Sequence, residues 1–212
     1  MFPILQNPRH KNVARTRQGV IRERFAGGRR RTCALVYNFS MKKPISTEPT
    51  PENIQHTLLL LGEVPVQVER LSQGMGEALY HPMAPDERSF HQILAHLIHC
   101  EARTFETITL ALLTHEPVLF PIHPERDFGK LFPFERQPFP DLLAYFKLRR
   151  AVLLPVLTGL NEKKWARVVQ QAGKQRKESV YWQARALALH EWEHVEEIAE
   201  KLEIDRPSVP NR

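Results

Sequence analysis

The sequence predicts an all-α protein: an antiparallel four-helix bundle with a long Pro/Phe-rich loop between its second and third helices. Three observations lead there. Apolar residues recur at helical spacing through four segments downstream of Thr50. Capping signals stand where the first two of those segments begin. No run alternates apolar and polar residues for long enough to propose a strand.

The first helix opens at "TPEN". Thr50 caps it, Pro51 takes the first helical position, and Glu52 suits the positive end of the helix dipole. Leu58, Leu61, Val64, Val68 and Leu71 share an apolar face, with Pro65 expected to kink or split the run. Gly74, Gly76, Pro82 and Pro85 end the pattern. Ser89 and Gln92 read as a capping box for the second helix. Ile93, Leu94, Leu97, Ile98, Phe105, Ile108 and Leu112 form its stripe, which ends by Pro117. From Pro117 to Pro140 prolines alternate with phenylalanines, too aromatic for a disordered linker, so a loop packed on the bundle and bordering a site is expected.

The third helix is expected over about Asp141–Leu157, with Arg149 and Arg150 at its middle, Pro155 distorting its last turn and Gly159 ending it. Asn161 caps a short turn that carries Trp165, and "QQAGKQRKES" reads as a solvated loop. The last helix runs over about Ser179–Leu202.

Charge is unevenly placed. The net charge is +6, yet residues 1–40 hold nine Lys or Arg against the single acid Glu23. The body is slightly acidic, so nucleic-acid binding is not expected except through that extension. Three readings of the extension compete: a transit peptide, a basic arm, or an early start with Met41 as the true one. The expected division is residues 1–46 as a basic, disordered extension, 47–204 as the bundle, and 205–212 as a tail. Cys33 and Cys100 are too few for a disulfide framework, which suggests a reducing, cytoplasmic setting. No stretch approaches the ~20 apolar residues of a membrane helix.

Chemistry concentrates in histidines. His190 and His194, in "HEWEH", stand four apart and so share one helical face with Leu187, Val195 and Ile198. His96, between Leu94 and Leu97 on the second helix, is the candidate third ligand. His99 is its competitor, expected to be exposed, and His56, His81, His91, His115 and His123 read as surface or loop histidines. Cys100, one turn after His96, is a fourth ligand, a reactive thiol or a small core cysteine. Three imidazoles with an open position suit a divalent metal (Zn, Ni or Fe) that activates water or a thiol. Glu101 and Glu191, with Cys100, are the candidates for groups supporting the ligands, and Glu101 is also a candidate for a buried ion pair with an arginine.

HExxH is also the zinc-protease signature. Here only eighteen residues follow His194, and the further ligand position of one such class holds Glu200. This is the weakest reading. A non-catalytic bundle that binds a metal, ligand or partner is the stronger alternative.

Four segments in order resemble the DinB/YfiT-like family of metal-dependent four-helix bundles: "LLLLGEVPVQVERL", "PDERSFHQILAHLIHCE", "LLAYFKLRRAVLLPVLTGLNEKKW" and "ALHEWEHVEEI". The resemblance covers residues 51–202. It implies a metal on His96, His190 and His194, thiol-dependent transferase or isomerase chemistry with a low-molecular-weight thiol and a small electrophile, and a homodimer. Three positions depart from the family pattern: Arg88 replaces a tryptophan, Asp86 a glycine, and Cys100 a small or polar residue.

Overall fold

The computed structural model describes residues 45–204. The basic extension as far as residue 44, the alternative start at Met41 and the tail 205–212 lie outside the described residues. Ile45 and Ser46 belong to the packed body. Ile45 is buried and its carbonyl accepts from Arg185, while the Ser46 carbonyl accepts from the Tyr181 hydroxyl.

Four long helices form the bundle: α1 (Pro51–Ser72), α2 (Phe90–Leu113), α3 (Phe139–Thr158) and α4 (Val180–Lys201). The first two starts follow the capping signals, and Ser179 caps the last helix in the same way. Thr50 accepts from the Asn53 amide, Ser89 and Gln92 complete both bonds of the capping box, and Ser179 accepts from the Trp182 amide. Asn161 caps the turn Glu162–Trp165, and Trp165 is buried there.

Of the two outcomes expected at Pro65, a kink or a split, the split does not occur: α1 runs through it as one helix. A proline removes the bond to the carbonyl four residues earlier, which here is Leu61. Arg150 of α3 supplies the missing donor, its Nη1 lying 2.7 Å from the Leu61 oxygen. The tertiary contact thus satisfies what the proline leaves open.

Cross-helix contacts give the directions. Lys147 meets Glu69 and Leu154 meets Gly62, so α1 and α3 run antiparallel. Glu87 meets Lys201 and His96 meets His190, so α2 and α4 also run antiparallel. Phe90 meets Phe139 and Glu101 meets Arg150, so α2 and α3 run parallel. It follows that α1 and α4 are parallel too. Each of α1 and α2 packs against both α3 and α4, which leaves the consecutive helices α1 and α2 on a diagonal. Parallel α2 and α3 require a connection that returns along the bundle, ~36 Å for a 24-residue helix. The Pro/Phe-rich segment makes that return.

Two expectations fail in the connections. A three-stranded sheet, β1 (Val118–Leu119), β2 (Val168–Gln171) and β3 (Lys177–Ser179), stands where no strand was expected and turns "QQAGKQRKES" into a hairpin. Its strands are too short to show alternation, and β1 pairs in parallel with β2 from fifty residues away. Gly173, at φ +83°, supplies the left-handed residue of the hairpin turn. His99, expected to be exposed, is fully buried, and His56 and His91 are buried as well. The returning loop covers α2: His99 Nε2 donates to the Phe132 carbonyl at 2.9 Å and His91 Nε2 to that of Gln137 at 2.8 Å.

Arg150 also closes on two buried acids. Its Nη2 lies 2.7 Å from Glu191 of α4, and its Nε lies 3.5 Å from Glu101 of α2. Burial pushes the Glu191 carboxyl up to about 7 despite Arg150 beside it, with Glu101 adding to the rise. Arg150→Met should destabilise the fold by ~3–5 kcal/mol, because it strands two buried carboxylates and the Leu61 carbonyl. Adding Glu191→Gln and Glu101→Gln should return part of that loss. Urea denaturation of the three proteins measures both effects.

Candidate metal centre

His96 projects from α2 toward His190 and His194 on α4. The buried stripe of Ile93, Leu94, Leu97 and Ile98 fixes the rotation of α2, and Leu187, Val195 and Ile198 fix that of α4. The three imidazoles cluster, with ring centroids 5.1 Å (His96–His190), 5.0 Å (His96–His194) and 4.8 Å (His190–His194) apart. His96 Nε2 lies 2.9 Å from His190 Nε2. Two nitrogens on one tetrahedral zinc lie ~3.3 Å apart, a separation that a small movement would reach.

Carboxylates hold two of these rings by their outer nitrogens. His96 Nδ1 lies 3.0 Å from Glu125, and His194 Nδ1 lies 2.9 Å from Glu197. A carboxylate accepts a hydrogen bond from Nδ1–H, which leaves Nε2 as the nitrogen with the free lone pair. Burial pulls the His96 pKa down to about 4; Glu125 opposes this, and the other two histidines reinforce it. His190 is lowered likewise by burial and then by His194. Neutral imidazoles are the form that binds a metal. The donor set therefore fits a divalent ion of the zinc, nickel or iron type.

Cys100 sits at the cluster, its Sγ 3.7 Å from His96 Nε2. Donor atoms of His96, Cys100 and His190 all lie within 4.8 Å of one another, a group that does not include His194, whose ring packs beside them without bringing a nitrogen as close. Burial, then Glu125 and Glu191, push the Cys100 thiol up to about 12, so without an ion it is a neutral thiol.

The other two supporting candidates lie elsewhere. Glu101 forms the buried arginine pair expected of it. Glu191 is fully buried with both carboxylate oxygens on Arg150, at 2.7 and 2.8 Å. Its side chain leaves the helix on a face different from that of the histidines. The carboxylate that a zinc protease would use as its base is thus committed to the bundle interior.

Glu125 was missed from the sequence. Burial raises its carboxyl, but His96 and then Arg88 outweigh that and hold it below the usual range. Arg88 bonds its other oxygen at 3.0 Å, which gives a role to the arginine that departs from the family pattern. The one available signal was the aromatic loop, whose packing brings residue 125 back to residue 96.

Among curated proteins nothing matches the chain. Among solved structures it is similar to YfiT from Bacillus subtilis, described as a probable metal-dependent hydrolase with an unusual four-helix bundle topology. That similarity has a TM-score of 0.66 at 15% identity and covers 76% of this chain and 93% of YfiT. The family model of the DinB superfamily matches residues 61–198, a span that includes all three clustered histidines. The chain belongs to the DinB superfamily.

Proposed function

We propose that this protein is a metal-dependent enzyme acting on small molecules, with a divalent ion held by His96, His190 and His194. The observation that carries the reading is the convergence of three imidazoles from two helices, with carboxylates on the outer nitrogens of two of them. A divalent ion in such a set lowers the pKa of a water or thiol and polarises an electrophile. Glu125 and Glu197 fix ring orientation and tautomer at His96 and His194. Arg88 holds Glu125 in place and offsets its charge. Cys100 offers a neutral thiol at the edge of the cluster.

The nucleophile we favour is a low-molecular-weight thiol transferred to a small electrophile, in keeping with the family resemblance. The description of YfiT supports water as the alternative nucleophile. Activity against a small electrophile, assayed with and without added thiol, separates transferase from hydrolase.

Elemental analysis after loading with zinc, nickel or iron(II) should give about one ion per chain for the wild type and a loss of tight binding for His96→Ala and His190→Ala. A wild type that retains no ion overturns the proposal. Glu125→Gln should weaken metal affinity ~10–100-fold while leaving the helical circular dichroism unchanged, as measured by competition with a chelator. Glu191→Gln should keep its metal, because Glu191 faces Arg150 and not the histidines.

A further inference from the structure

The seam between α2 and α4 continues beyond the histidines. On α2, His96, Cys100, Arg103 and Thr107 recur at helical spacing, and on α4 so do His190, Ala186 and Gln183. The antiparallel helices place these positions level: His96 faces His190 at one level, and Arg103 and Gln183 line a single cleft at another. Both intervals are seven residues, so the two levels lie ~10 Å apart. Between them stand the small residues Cys100 on α2, half-buried, and Ala186 on α4, exposed. The returning loop borders both levels, through Ile122 at the cleft and Glu125 at His96.

The cleft has a volume of about 160 Å³, which suits one end of a small molecule and not a whole ligand. It contains one cation, Arg103, and one anion, Glu178, together with the amides of Gln171 and Gln183. The two charges are not bonded to each other. Arg103 is paired with Glu106 at 2.7 Å and donates to the Phe120 carbonyl at 3.1 Å, while Glu178 accepts from Gln183 at 2.7 Å and has Arg176 4.0 Å from its other oxygen. A fixed cation and a fixed anion in one cleft, with amides beside them, complement a group that carries both charges.

We infer that this cleft binds the free α-amino-acid end of an elongated small substrate, with Arg103 taking the carboxylate and Glu178 the ammonium, while its other end reaches the histidine cluster. The inference deepens the proposed function and rests on that cluster being the reacting site. Arg103 and Glu178 are then specificity residues, distant from the metal.

The test is titration calorimetry of the full, zinc-treated chain with γ-glutamylglycine, which has a free α-amino-acid end and no thiol. Saturable binding is expected, weakened at least ~tenfold by Arg103→Gln and by Glu178→Gln. N-acetylation of the peptide, or removal of its α-carboxylate, should weaken binding to the same extent. No binding, equal binding of the acetylated peptide, or unchanged affinity in either variant overturns the inference. Metal content, measured on the same samples, should be equal in wild type and both variants. A metal-free wild type that still binds the peptide in this pattern would sink the metal reading and leave the amino-acid site standing.

Discussion

One guanidinium ties the four helices together. Arg150 extends from the middle of α3 to the Leu61 carbonyl of α1, Glu101 of α2 and Glu191 of α4. Each partner depends on it. The Leu61 carbonyl lacks its helical donor because Pro65 has none to give, and the two acids are fully buried. A buried ion cluster adds little net stability against a well-packed apolar core of the same volume, but removing one member is severe. Its physical effect is to penalise any other rotation or register of the helices. The histidines inherit that constraint, since His190 precedes Glu191 directly and His96 stands on α2 five residues before Glu101. With Arg150 holding one face of α2 and α4, the imidazoles meet on another.

The second constraint is topological. Parallel α2 and α3 require the chain to cross the length of the bundle between them, and that crossing passes over the histidine cluster. Its backbone carbonyls are held by His99 and His91 from beneath, so histidines that look like surface residues become loop anchors. The same segment delivers Glu125 to His96 and Ile122 to the neighbouring cleft. A length of chain needed for connectivity thus also walls the site and supplies a charged group to it.

Much was legible beforehand because it depends on residues within one turn of each other. The caps at Thr50, Ser89 and Asn161, the apolar stripes and the i, i+4 pair of His190 and His194 follow from helical geometry alone. His96 was legible as a histidine set between buried leucines. The pairing of Glu101 with an arginine was foreseeable from the cost of burying a lone carboxylate.

What only the tertiary structure decided depends on residues far apart in the chain. Pro65 reads as a kink or a split until Arg150, 85 positions later, provides the donor. His99 reads as exposed until the loop covers it. The strands are too short to register until β1 lies beside β2. Glu125 and Arg88 have no local pattern, and their role exists only because the crossing brings them to His96. The sequence by itself determined the helices and the histidines they carry, through interactions spanning three or four residues. Which charges meet those histidines, and that Glu191 does not, was decided by packing between distant segments, where no short-range spacing holds the information.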